Sequence, residues 1–98
     1  MAFASSSSGA VLNLFIHAPA ALVSSERRLP STIPLDQLRG HLERLTGIPP
    51  DQQRLSLWTT RTDDPDARAT LVSQLTDDDK SLEQYGVREL MCIKVSTN

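Results

Sequence analysis

Few residues in this chain could do chemistry, and their spacing argues against catalysis. One cysteine, Cys92, sits between Met91 and Ile93 in an apolar stretch. A nucleophilic cysteine needs a base at hand and an electropositive setting. His17 and His41 are the only imidazoles, and His41 falls on a polar helix face. Cys92 is therefore expected to be a plain strand cysteine, small and apolar. Asp77-Asp78-Asp79 could suggest a hard-cation site. A calcium loop, however, needs alternating ligands, a central glycine and a closing glutamate, and three consecutive carboxylates point in different directions. That run and Asp63-Asp64-Pro65-Asp66 are expected to be solvated turns. No catalytic residue, cofactor ligand or metal ligand is assigned. What remains is binding chemistry. Phe15 and Trp58 are aromatic anchors, and Arg27-Arg28 make a small basic spot suited to an acidic partner.

The chain as a whole sets bounds on where these residues can act. Its 98 residues are 39% hydrophobic, with 10 Lys+Arg against 12 Asp+Glu and a formal charge of −2. At this size about 65% of the unfolded surface can be buried, enough for one core and no second domain. The charge balance gives no global field for nucleic acid or anionic lipid. A single cysteine excludes an intramolecular disulfide and fits a reducing compartment. The longest apolar run, Ala18 to Val23, contains Pro19 and is far shorter than the roughly 20 residues that span a bilayer. No Lys or Arg precedes Arg27, so a signal peptide is not expected. Neither a membrane nor a nucleic acid is an expected partner. A cytoplasmic monomer is.

Residues 1–9, with Ser5-Ser6-Ser7-Ser8-Gly9, are expected to be a disordered leader or cloning remnant, and residues 10–98 the domain. In Leu12-Asn13-Leu14-Phe15-Ile16-His17 the leucines and Ile16 share one face, the period-2 pattern of a half-buried strand. Pro19 breaks it, and a second strand from about Leu22 to Leu29 completes a hairpin. From Pro34 to Thr46, Leu35, Leu38, Leu42 and Leu45 form one helical stripe, ended by Gly47. Arg54 to Thr59 alternates again, with Leu55 and Leu57 inward and Ser56 and Trp58 outward. Thr60 to Thr70 is charged and contains Pro65, the pattern of a solvated, mobile loop. Thr70 to Leu75 suggests a short strand, and Ser81 to Gly86 a helical turn. In a last strand, Leu90 to Val95, Met91, Ile93 and Val95 face inward while Cys92 and Lys94 face out. The order is that of an α+β domain with one helix on one sheet face.

Gly47-Ile48-Pro49-Pro50-Asp51-Gln52-Gln53-Arg54-Leu55 is similar, residue for residue, to the segment that follows the helix of ubiquitin. Ser81-Leu82-Glu83-Gln84-Tyr85-Gly86-Val87 resembles the turn before ubiquitin's last strand. The resemblance covers about Ala10 to Val95 and implies a β-grasp, ubiquitin-like roll: a mixed four- to five-stranded sheet packed on one helix. A narrower resemblance is to the N-terminal domains of the tubulin-folding cofactor B family. Ser25-Glu26-Arg27-Arg28, Leu55-Ser56-Leu57-Trp58, and Thr76 to Leu82 with Tyr85-Gly86-Val87 and Ile93-Lys94-Val95 carry it.

That family implies a chaperone-like role: binding α-tubulin and, with a companion tubulin-folding cofactor, assembling or dismantling the tubulin heterodimer. It implies a cytoplasmic, cytoskeleton-associated protein with a CAP-Gly domain encoded elsewhere. Two departures from ubiquitin matter. The chain ends Ser96-Thr97-Asn98 instead of the Gly-Gly that conjugation needs, so it is not expected to be conjugated as given. Ser56 replaces the isoleucine of ubiquitin's receptor-binding patch, and Lys94 charges the neighbouring strand. The alternative function is a docking domain of an adaptor that recruits the proteasome or a ubiquitin-handling enzyme.

Overall fold

The computed structural model describes residues 11–64, 66 and 68–97. The expected leader, residues 1–9, lies outside them. Strands β1 (Val11–Ala18) and β2 (Val23–Pro30) form the hairpin, followed by helix α1 (Leu35–Thr46). Then come β3 (Gln53–Trp58), β4 (Leu71–Leu75) and β5 (Cys92–Thr97). The five strands make one mixed sheet in the order β2-β1-β5-β3-β4. β1 and β5 run parallel at its centre, and every other neighbouring pair is antiparallel. This is the β-grasp arrangement the sequence resemblance implied.

The helix forms where its stripe demands. Leu35, Leu38 and Leu42 are buried, and Leu45 packs half-buried at the end of the same stripe. Facing them from the sheet are Leu14 and Ile16 of β1, Leu55 and Leu57 of β3, and Ile93 and Val95 of β5, all buried. α1 stops at Gly47, whose φ of +77° lets its amide reach the Glu43 carbonyl at 2.7 Å. Glycine takes this left-handed conformation without the penalty a Cβ would bring. Thr46 adds a second stop. Its hydroxyl donates to the Leu42 carbonyl at 2.7 Å and accepts the Ile48 amide at 3.1 Å.

Three boundaries differ from expectation for local reasons. β2 begins at Val23, because Leu22 closes the Pro19–Ala21 3-10 turn with φ 57° and is 94% exposed. β5 begins at Cys92, because Leu90 turns the chain with φ 65°. Met91, expected inward, packs half-buried against the core from outside the strand. The expected helical turn is a 3-10 turn, Glu83–Tyr85.

One polar device ties the helix to the rest. Arg39 of α1 has a side chain that is only 13% exposed. Its guanidinium donates to the carbonyls of Gln53 (2.8 Å), Pro50 (3.3 Å) and Leu75 (3.4 Å) and pairs with Asp78 at 2.9 Å. The buried Gln53 amide answers by donating to the Arg39 and Ile48 carbonyls at 2.9 and 3.0 Å. One planar fork thus satisfies main-chain acceptors from three segments, which a lysine ammonium could not do in the same geometry.

Leu42→Ala is expected to lower the unfolding free energy by about 2–5 kcal/mol, the usual range for removing a fully buried leucine side chain. Urea unfolding followed by circular dichroism measures it. A loss under about 0.5 kcal/mol would mean that the stripe does not carry the core.

Candidate functional site

The face of the sheet turned away from α1 holds most of the singled-out residues. The strand registers align them in two rows. Glu26, Phe15, Cys92, Trp58 and Leu71 stand side by side across β2, β1, β5, β3 and β4. Ser24, His17, Lys94, Ser56 and Gln74 make the next row. Alternation puts Arg28, opposite Asn13, on this same face, and Arg27, opposite Leu14, on the helix face. Phe15, Trp58 and Arg28 are therefore brought to one side of the sheet, and Arg27 is not.

The loop after β3 lies on this face instead of extending into water. Thr62 is the centre of the contact: its hydroxyl lies 2.5 Å from His17 Nδ1 and 3.6 Å from Cys92 Sγ. Arg61 stacks its guanidinium over Phe15, 5.2 Å from the ring centroid. Asp63 accepts the Ser24 hydroxyl and pairs with Arg61 at 3.1 Å. The loop's base is closed by the Thr59 amide on the Thr70 carbonyl at 2.9 Å. Residues 62–64 are half-buried, so the expected solvated loop is, in its first part, a cover. The reason is chemical. β1 and β5 offer an imidazole, a phenyl face and a thiol, and the loop supplies a hydroxyl and a guanidinium to match them.

The cover changes what the face can do. Cys92 faces outward as expected but is fully buried. Among the described residues, Thr62 stands between His17 and the thiol. In that geometry the thiol latches the loop to the sheet. Trp58 is half-buried, and its indole N–H donates to Ser56 Oγ at 2.9 Å. Lys94 Nζ stands 5.8 Å from the indole ring. Trp58 thus turns back over Ser56 on its own face, leaving that serine only 8% exposed. At the position where ubiquitin presents an isoleucine, this chain presents an indole flanked by an ammonium.

The acidic runs are structural. Asp78 is held by Arg39, and Asp77 accepts the Asp79 amide at 3.0 Å. Tyr85 Oη accepts the Asp77 amide at 2.6 Å, and Lys80 lies 5.5 Å from its ring. Among the described residues no three His, Cys, Asp or Glu side chains gather as a metal site. No helix among them is long and apolar enough to cross a membrane. Glu89 binds the Asn13 amide and side chain at 2.6 and 2.8 Å, which holds its carboxyl below the usual range. The feature that sequence reasoning missed outright is Leu22 at the hairpin tip. Its place inside an apolar run masked it, although Pro19 just before it marks a turn.

A family model for the ubiquitin-like domain matches residues 11–98. No curated protein matches the chain by sequence. Among solved structures, a ubiquitin-like domain from tubulin-binding cofactor B is 30% identical, with a TM-score of 0.73 and 91% of each chain covered. The C-terminal ubiquitin-like domain of mouse tubulin-specific chaperone e is 26% identical at a TM-score of 0.71, covering 98% of this chain and 95% of that one. The N-terminal ubiquitin-like domain of cofactor B from Drosophila melanogaster shares the fold at a TM-score of 0.76. It is 18% identical, and 100% of this chain and 96% of that one are covered.

Arg61 and the Ser24 hydroxyl draw the Asp63 carboxyl down to about 2. A carboxyl depressed in the folded state favours the closed loop above its ordinary range near 3.8. That contribution is lost as pH falls through about 2, so loop amides 60–64 should exchange faster between those values than strand amides do. At neutral pH, Asp63→Ala should raise the rate at which a thiol reagent labels Cys92 several-fold, with the unfolding midpoint little changed. An unchanged labelling rate would show that Asp63 does not hold the cover down.

Proposed function

The chain belongs to the ubiquitin-like domain family, and from that membership we propose that it is the protein-interaction domain of a tubulin-folding cofactor. The family is in general one of non-catalytic interaction modules. The observation that carries the finer reading is the 30% identity, over nine-tenths of both chains, with a cofactor B ubiquitin-like domain. Its partners are α-tubulin and a companion cofactor, its role is in assembling or dismantling the tubulin heterodimer, and its place of action is the cytoplasm.

The docking face on this reading is the outer sheet face at Trp58, with Phe15 beneath Arg61 and Arg28 at the rim. A desolvated aromatic flanked by cations is the type of anchor that dominates interfaces, and tubulin is an acidic partner. The polar row Ser24, His17, Lys94, Ser56 and Gln74 has no apolar patch for ubiquitin receptors, which weighs against the adaptor alternative.

Titration of the isotope-labelled chain with α-tubulin, and separately with the companion cofactor, should shift amides around Trp58. Trp58→Ala should weaken that binding by at least about 1 kcal/mol while the chain still unfolds cooperatively. Micromolar binding to a proteasomal ubiquitin receptor, with no response to tubulin or cofactor, would overturn the reading in favour of the adaptor.

A further inference from the structure

On the helix side, coverage of the sheet stops short of its outermost strand. Between β2 and α1 runs a groove of about 410 Å³. Leu29 of β2 and Leu38, Leu42 and Leu45 of α1 give it an apolar lining. Arg27, whose side chain lies on this face, stands on one bank, and His41 and Arg44 on the other. No carboxylate is among the residues that line it. Arg27 and Arg44 are exposed and have no ion-pair partner among the described residues. In a chain of net charge −2, the guanidinium groups of Arg27 and Arg44 thus flank one apolar trough that has no carboxylate in its lining.

The strand beside the trough has a free side. β2 pairs with β1 along its full length, and among the described residues no strand pairs with its other edge. Its outward amides and carbonyls are therefore a template for an added extended chain. Pro30, which has no N–H, ends the template.

We propose that the free edge of β2 and the groove beside it form a docking site for an extended, acidic segment of a partner protein. The segment adds as a sixth strand, sends alternate apolar side chains into the trough, and sets its carboxylates on Arg27 and Arg44. Charge decides among the possible occupants. A second copy of this chain would bring one Arg27-Arg28 pair against another across an antiparallel edge, where like charges repel. The chain's own residues 1–9 contain no carboxylate. Arginines on an open edge also deter self-pairing, which is compatible with admitting a partner of opposite charge. The proposal does not depend on the tubulin reading, which is tested at Trp58 on the other face.

The test uses two ten-residue synthetic peptides. One has a Val-Ile-Val-Ile core flanked on both sides by Asp and Glu, and the other has the same core flanked by Asn and Gln. Titrated into the isotope-labelled chain, the acidic peptide should shift amides of β2 and of α1 around Leu38 to Leu45. It should bind at least about tenfold more tightly than the neutral one, and its affinity should fall with added salt, as expected of charge complementarity. The double variant Arg27→Glu, Arg44→Glu should lose that tenfold preference while keeping a folded spectrum. Equal binding of the two peptides, salt-independent binding, or shifts confined to the Trp58 face would overturn the proposal. So would concentration-dependent shifts of the β2 amides in the chain alone, which would make the groove a contact between copies. If the double variant fails to fold, the salt series and the peptide pair on the unaltered chain still decide the matter.

Discussion

A single helix has to cover one face of a five-stranded sheet, and it is too small to do so. Twelve residues make a rod about 18 Å long and 10–12 Å wide, against a sheet about 19 Å across. The apolar stripe of α1 therefore covers the middle, and whatever lies to either side must be covered by something else or left open. The two sides are resolved differently. Towards β3 and β4, the Arg39 guanidinium, the Gln53 amide and the turns carrying Leu82 and Tyr85 close the core. Towards β2 nothing comparable is built, and the space remains as a groove banked by arginine stems.

The opposite face obeys the same constraint with no helix at all. An antiparallel-rich sheet can leave one face to water if that face is polar. Here Phe15, Cys92 and Trp58 stand side by side on it, too apolar a row to be left bare. Two covers result, and both are small. Thr62, with Arg61 and Asp63, closes over Phe15 and Cys92, while Trp58 folds back on Ser56. The loop cover rests on a few hydrogen bonds and one ion pair at the surface, so it belongs to the part of the molecule that opens before the core does.

This division explains which parts of the molecule were legible in the sequence. Period-2 alternation in β1 and β3 and the 3.6-residue stripe of α1 report burial against a neighbouring layer. Leu14, Ile16, Leu38, Leu42, Leu55 and Leu57 accordingly lie where the pattern put them. The split of Arg27 and Arg28 to opposite faces follows from the same alternation. The role of Arg39 was not legible, because a helical wheel counts it as polar surface, and main-chain carbonyls, its partners, leave no mark in a sequence. The loop was misjudged for a related reason. Thr62 meets His17 and Cys92 at separations of 45 and 30 residues, and no periodicity links a threonine in a charged loop to either. For Cys92 and Ser56 the outward direction was right and the exposure was not, since direction is set by the strand and exposure by what happens to lie on it.

Net charge was the least informative quantity of all, and the structure shows why. Counted over the chain, acids outnumber bases by two. Counted by place, many acids are already engaged: Asp63 with Arg61 and Ser24, Asp78 with Arg39, Asp77 with the Asp79 amide, Glu89 with Asn13. Each such carboxylate has much of its field spent on a neighbour a few ångströms away. Arg27 and Arg44 beside the groove have no ion-pair partner among the described residues, so a local positive field stands there on a chain whose total is negative. Fields at a surface fall off within about 8–10 Å at physiological ionic strength, so a partner meets the local charge and never the sum. A domain of net negative charge can in this way present a local basic patch beside its groove.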